Sequence, residues 1–368
     1  MKKQKIFVIS GINIIDAGPL SIMKDFLKEL SGFNNGSLKI IALVNSSQLF
    51  NIDNIEYYEF PKSKKNWLNR IYYEYIYFKK FSKKIKPDYW ISMHDITPNI
   101  ICENQYVYCH NATPYYTPTW KDWRYGSRAS LFSLLYIYLY KINIRKNKGV
   151  IVQQEWLREK FKNRFNLDKI IVAYPKINNV PLGDNKQTSI KSEIKKIFFP
   201  SFPRSFKNFE VICEAYRILP KEYQNRLIIY LTLDENLNSY ASYIINKYKY
   251  LEGLKFIGLL SRAQVYEYYK EMDGLVFPSK LESWGLPITE FKSFNKPIFL
   301  SNLSYAKETL GDYNKGYFFN PNSHIELSIL LKQLIDNELP KIDNPKIEIS
   351  EPFIIGWTNL VNYILKND

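Results

Sequence analysis

Apolar residues in the first half of the chain cluster in short runs, separated by longer stretches whose apolar positions recur at helical spacing. The runs at 6–10, 38–44, 55–60, 89–92, 105–109, 149–153 and 169–173 read as strands. A helix over 20–30 follows the turn that holds Gly11, Gly18 and Pro19. Strands of this kind alternating with helices indicate a parallel sheet covered on both faces. Residues 177–195, INNVPLGDNKQTSIKSEIK, break the pattern with polar positions, Pro181 and Gly183. A second series follows, with strands at 196–199, 227–233, 254–256, 274–277 and 297–301. Its helices lie at 208–219, 237–248, 262–270, 287–294 and 325–337. The expected fold is α/β, two doubly wound Rossmann-like domains facing a central cleft. The expected boundaries are 1–176, a linker at 177–195, and 196–352, with a helical stretch inside 353–368.

Composition narrows the partners. The 368 residues carry 51 Lys plus Arg against 36 Asp plus Glu, a net charge of +15, together with 30 Tyr and 23 Phe. A basic, aromatic-rich chain attracts nucleic acid, anionic lipid or phosphorylated ligands. No zinc-finger, basic-zipper or RNP-like pattern is present, so nucleic acid would rest on charge alone. Cys102, Cys109 and Cys213 form no CxxC unit and read as buried thiols of a reducing compartment. No His or Cys set has metal-ligand spacing, and Asp88 and Asp95 flank a strand without forming an Asp-x-Asp unit. The start, MKKQKIFVIS, lacks a cleavage pattern and reads as a first strand, and no apolar window reaches bilayer-spanning length. The expected location is the cytoplasm, with the cytoplasmic face of the inner membrane open as a docking surface.

Residues 67–84, WLNRIYYEYIYFKKFSKK, place Trp67, Ile71, Tyr75 and Phe78 at helical spacing beside Arg70, Lys79, Lys80, Lys83 and Lys84. Two readings stand: a domain helix with a solvated basic end, or an interfacial helix lying on anionic lipid. The aromatic, basic stretch 120–148 would extend such a surface.

The densest chemistry lies in residues 277–299, FPSKLESWGLPITEFKSFNKPIF. A strand ends at Phe277, a polar loop carries Glu282, and Gly285 and Pro287 open a helix with Glu290 on its first turn. A loop feeding the N–H groups of a helix start can hold an anion, and glycine allows close backbone approach. Carboxylates at 282 and 290 could grip hydroxyls on either side of such a phosphate.

This segment resembles the signature of the retaining nucleotide-sugar glycosyltransferases of family 4, which have the GT-B fold. The matching residues are Pro278, Ser279, Glu282, Ser283, Trp284, Gly285, Leu286, Pro287 and Glu290. The resemblance implies that Glu282 lies beside the donor sugar and that Glu290 holds the nucleotide ribose. Residues 201–219 resemble the segment that sets two cations on the donor diphosphate; Lys207 matches its lysine. The family's Gly-Arg pair is absent, with Ser201 and Phe202 near its place and Arg204 the substitute arginine. Residues 10–27 resemble the amino-terminal loop and helix, in which Gly18 would let the acceptor and departing phosphate approach. Residues 87–95 and 106–111 resemble two strand ends, and the second implies that His110 reaches the reacting sugar. His94 follows the other strand at the ligand-facing edge. The frequent Gly-Gly after the next strand is missing, with Ser304 and Tyr305 there and Glu308 retained. Residues 357–365 resemble the closing helix that returns to the first domain.

The resemblance implies transfer of a sugar, with retained configuration, from a nucleotide-sugar to a hydroxyl of a lipid-linked oligosaccharide acceptor, as in O-antigen or capsule assembly. No cofactor or metal is expected, since the nucleotide-sugar is a substrate and cationic side chains would neutralise its diphosphate. Competing readings are a GT-B nucleotide-sugar epimerase or phosphorylase, and a non-catalytic glycan-binding scaffold of the same fold.

Overall fold

The computed structural model describes residues 4–33, 36, 38–175 and 193–366. Within the stretch read as a linker, 177–192 lies outside the described residues. The strands in chain order are β1 (Lys5–Gly11), β2 (Leu38–Val44), β3 (Glu56–Glu59), β4 (Tyr89–Ser92), β5 (Asn104–Cys109), β6 (Gly149–Val152) and β7 (Ile170–Tyr174). They continue as β8 (Lys195–Phe199), β9 (Leu227–Leu231), β10 (Leu254–Phe256), β11 (Gly274–Phe277), β12 (Ile298–Ser301), β13 (Gly316–Phe319) and β14 (Phe353–Ile355).

Two compact units result. One holds the described parts of 1–115, 133–176 and 349–368, the other those of 116–132 and 177–348. The segment 116–132, read above as part of the first half, therefore packs with the second unit.

The first unit is built on an eight-stranded sheet ordered β14-β7-β6-β5-β4-β1-β2-β3. Every neighbouring pair is parallel. Strands β4, β5 and β6 are buried throughout, including the polar Ser92, Asn104 and Gln105 at their ends. The last helix, Trp357–Lys366, buries Trp357, Leu360, Val361 and Ile364 in the core of this unit. Trp357 meets Phe26 of helix Ala17–Gly32 edge-on at 5.3 Å and Tyr108 at 5.5 Å.

The second unit has six parallel strands ordered β10-β9-β8-β11-β12-β13. Its core is aromatic: Phe199 lies 4.7 Å from Phe209 and 5.7 Å from Phe277. Much of the Tyr and Phe excess is thus core in both units. In each sheet the strand order reverses once, between β1 and β4 and between β8 and β11. Loops leaving the carboxyl ends of strands at such a reversal are where α/β sheets bind ligands.

Several short elements fall outside the sequence reading: strands β13 and β14 and the helices Glu155–Phe165 and Ser304–Leu310. Segment 67–85 also departs from it. The helix Trp67–Tyr72 passes through a wider π turn, Tyr73–Tyr77, into helix Phe78–Ile85. Arg70 and Glu74 turn inward with Phe78 and Phe81, while Leu68, Ile71, Tyr72 and Ile76 stay exposed. Arg70, grouped above with the solvent-facing lysines, is a core residue. It is held there because its guanidinium donates to the carbonyl of His94 at 2.9 Å. All three cysteines are free thiols, and burial pushes Cys102 up to about 12.

Candidate functional site

The reversal in the second unit brings two loops together. The loop after β8 turns through Ser205–Lys207. Asn208 follows with φ 63°, and its side-chain amide donates to the carbonyls of Pro278 (3.3 Å) and Pro321 (2.7 Å). The loop after β11 answers with the Lys280 N–H, which donates to the Phe206 carbonyl at 2.7 Å. These ties set Lys207 against Glu282: Nζ and Oε1 form a partly buried ion pair, with side chains 17% and 15% exposed. Arg204 is exposed on the same turn, its guanidinium 5.9 Å from the rings of both Phe202 and Phe206. The expected second cation and the lysine therefore share one short turn.

Downstream, Ser283 and Leu286 are partly buried and Trp284 is buried. The Trp284 indole donates to Thr289 Oγ1 at 3.0 Å, and Thr309 donates to the Trp284 carbonyl. Trp284 thus pins the turn from within rather than offering its ring to solvent. Gly285 has φ 86°, and a Cβ there would meet Ile288 at 3.0 Å, so only glycine makes this turn without strain. Glu290 lies in helix Leu286–Lys292, and its carboxylate accepts from Arg262 and from the Tyr269 hydroxyl, each at 3.3 Å. Burial pushes the Glu290 carboxyl above its ordinary range, against the opposing pull of Arg262, Tyr266 and Tyr269. Where the Gly-Gly pair is missing, the Tyr305 hydroxyl donates to the Ser279 carbonyl at 2.7 Å. A buried ring supports the loop there from below.

In the first unit, His94 and His110 follow β4 and β5 and flank Asp95. His94 is 3% exposed, with Nε2 2.8 Å from Glu74 Oε1, close but without hydrogen-bond alignment. Its ring is occupied in the core and offers no surface to an acceptor. His110 is partly exposed, and its Nδ1 lies 3.7 Å from Asp95 Oδ1. Gly18 sits in the first turn of helix Ala17–Gly32, where an added Cβ would meet nothing within 4 Å.

Several residues around these sites carried no sequence signal of their own. Tyr136 and Tyr140 lie four apart on helix Trp120–Lys141 and both donate to Asp95, at 3.2 and 3.0 Å. Their spacing marks one helix face but not what that face covers. In the second unit, Asp122 accepts from Ser205, from the Thr119 hydroxyl at 2.6 Å and from Tyr116 at 2.9 Å. Burial acts to raise its carboxyl, but these hydrogen bonds override it and hold the group below its ordinary range. Lys121 pairs with Glu210 at 3.1 Å, and Lys280 is drawn down by burial close by. Segment 116–132 thereby braces the turn bearing Arg204 and Lys207. Among the described residues, no group of three or more His, Cys, Asp or Glu could hold a metal ion, and no helix is long and apolar enough to cross a membrane.

Residues 184–348 match the family model described as glycosyl transferases group 1. The chain is 21% identical over 238 residues to the O-antigen chain mannosyltransferase RfbU of Salmonella typhimurium, covering 64% of this chain and 62% of that protein. It is 26% identical over 133 residues to the O-antigen chain mannosyltransferase B of Escherichia coli, 36% of this chain and 34% of that one. The matches therefore span less than two thirds of either relative. Among solved structures, WaaG, a glycosyltransferase involved in lipopolysaccharide biosynthesis, superposes with TM-score 0.64 at 12% identity over 90% of each chain. Sucrose-phosphate synthase from Thermosynechococcus elongatus does so with TM-score 0.63 at 12% identity, over 91% and 90%. Anabaena HepE, solved with UDP and glucose, gives 0.59 at 12% identity, over 91% and 90%. The two parallel-sheet units have the GT-B fold.

Proposed function

We propose that the chain, which carries a glycosyl transferases group 1 domain over residues 184–348, is a retaining glycosyltransferase. It moves a hexose from a nucleotide-sugar to a hydroxyl of a lipid-linked glycan in O-antigen or capsule synthesis. The observation that carries this reading is the Lys207–Glu282 pair, held by the β8 and β11 loops at the strand reversal of the second unit. A leaving nucleoside diphosphate gains negative charge as the sugar C–O bond breaks, and a fixed cation placed there lowers the barrier. Lys207 supplies that cation, with Arg204 on the same turn. Glu290 holds the ribose, and Glu282 orients the sugar while keeping Lys207 in place. The acceptor oxygen bonds to the anomeric carbon on the face the phosphate leaves, and the hydroxyl proton passes to the departing phosphate oxygen. No enzyme carboxylate forms a covalent intermediate, so these glutamates are not a glycosidase pair.

The relatives named as O-antigen chain mannosyltransferases make mannose the first sugar to try. The exposed apolar faces of the first unit, with Lys79, Lys80, Lys83 and Lys84 beside them, suit an anionic membrane surface that presents a lipid-linked acceptor.

The test is a thermal-shift panel of UDP-, GDP- and dTDP-sugars, followed by transfer to a polyprenyl-diphosphate glycan with the product anomer read by NMR. Lys207→Ala should lower turnover roughly 100-fold. Full turnover in that variant would remove its role, and a product of inverted configuration would reject retention.

A further inference from the structure

One buried carboxylate beside His110 has no part in the transfer described above, yet four donors converge on it at the carboxyl end of β5. Asp95 is buried and has φ 73°, a conformation that non-glycine residues seldom adopt. Its Oδ1 accepts the backbone N–H groups of His110 at 2.8 Å and Asn111 at 3.0 Å. The same oxygen accepts from the Tyr140 hydroxyl at 3.0 Å, and Oδ2 accepts from Tyr136 at 3.2 Å. Burial, and then the Asp95 charge, push both phenols well above their ordinary range, so each keeps the proton it donates. His110 Nδ1 is buried, makes no hydrogen bond, and lies 3.7 Å from Oδ1.

These contacts exceed what closing a strand end requires. A ring nitrogen buried against a carboxylate oxygen, with no other partner, is electrostatically favoured with its proton on. Which nitrogen of a histidine carries the proton is set in this way by what the other end of the ring faces. We infer that Asp95 is the positioning residue for His110: it fixes the backbone of His110 and Asn111, holds the ring as the Nδ1–H tautomer, and leaves Nε2 as the acceptor for a substrate hydroxyl. The tyrosine pair adds two further hydrogen bonds to the carboxylate. The catalytic part of this inference rests on the reading of His110 as the residue that meets the transferred sugar; the tautomer part does not.

The chain has three histidines, so its ring signals can be assigned with His110→Gln and His324→Gln. Long-range proton–nitrogen spectra of the free 15N-labelled protein, at a pH where the ring is neutral, should show His110 protonated at Nδ1 and bare at Nε2. Asp95→Asn keeps the shape and removes the charge, and should move most of the population to the Nε2–H form. Tyr140→Phe removes one hydrogen bond from the same carboxylate. It should lower the melting temperature and leave the His110 tautomer unchanged. With GDP-mannose, or whichever of the UDP-, GDP- and dTDP-sugars is turned over, Asp95→Asn should lower kcat about tenfold or more. Its KM for the donor should stay within about twofold, since the donor's diphosphate and ribose are held by other groups. A wild-type His110 already in the Nε2–H form overturns the inference without any variant. So does a folded Asp95→Asn whose His110 spectrum matches wild type. If no donor is turned over at all, the transfer reading fails, and the ring spectra still decide what Asp95 does.

Discussion

Glu290 shows how a residue proposed for the site can work against the fold that holds it. Desolvation raises its carboxyl pKa above 4.5, in spite of Arg262 and the two tyrosines. Between 4.5 and the raised value the folded state binds more protons than the unfolded one, so stability falls as pH rises through that window and then levels off. Glu290→Gln removes the charged form and keeps an acceptor for Tyr269. The expected result is a free protein that melts no lower than wild type at neutral pH and loses the fall across the window. Its nucleotide-induced rise in melting temperature should also be lost. Thermal melts with and without UDP, GDP and dTDP-sugars measure both, and a variant that melts lower at neutral pH would contradict the argument. The sequence pointed to Glu290 and Glu282 through their spacing and neighbours. It could not indicate that one would be paired with Lys207 and the other buried beside Tyr269.

Among the elements, segment 67–85 is the most informative. Its charged residues at 70 and 74 are buried and its apolar residues at 68, 71, 72 and 76 face out, the reverse of an ordinary amphipathic helix. The π turn is where the register shifts, and such turns are frequent at functional sites. Leu134, Leu135 and Tyr138 are exposed on the part of helix Trp120–Lys141 that belongs to the same unit. Apolar surface flanked by lysines binds anionic bilayers through both terms, at about 1 kcal/mol per basic residue. The first unit should therefore co-sediment with vesicles rich in anionic lipid and release as salt rises. Replacing Lys79, Lys80, Lys83 and Lys84 together by Gln should weaken binding by two orders of magnitude or more, at about that energy per residue. Unchanged binding would reject this helix as the contact.

At the scale of the whole molecule, chain order and unit membership part company. The last residues, β14 and helix Trp357–Lys366, complete the first unit, while 116–132 belongs to the second. Four buried side chains, Trp357, Leu360, Val361 and Ile364, at about 2 kcal/mol each, amount to the stability of a typical domain. Deleting 349–368 should thus unfold the first unit, read as lost hydrogen-exchange protection in β1, β5 and β7. Protection in β8, β9 and β11 should persist, and equal losses in both sheets would show that the helix supports more than its own unit.

The sequence by itself determined the α/β class, most strands of both series, the loops that carry Lys207, Glu282 and His110, and the helix start that carries Glu290. Those follow from local causes: apolar runs, turn residues and motif spacing, all set by neighbours along the chain. It also anticipated a basic, aromatic surface, though not which side of segment 67–85 would form it. Only the tertiary structure decided that Arg70, Glu74 and His94 are buried together, that Asp122 braces the turn of Lys207, and that Asp95 gathers four donors beside His110. Each of these contacts joins residues far apart in sequence, and a polar side chain goes inside only where such a partner offsets its lost hydration. A one-dimensional pattern holds no record of that partner. The short strands β13 and β14 escaped for the same reason, since a few residues become a strand only when a neighbouring strand supplies their hydrogen bonds.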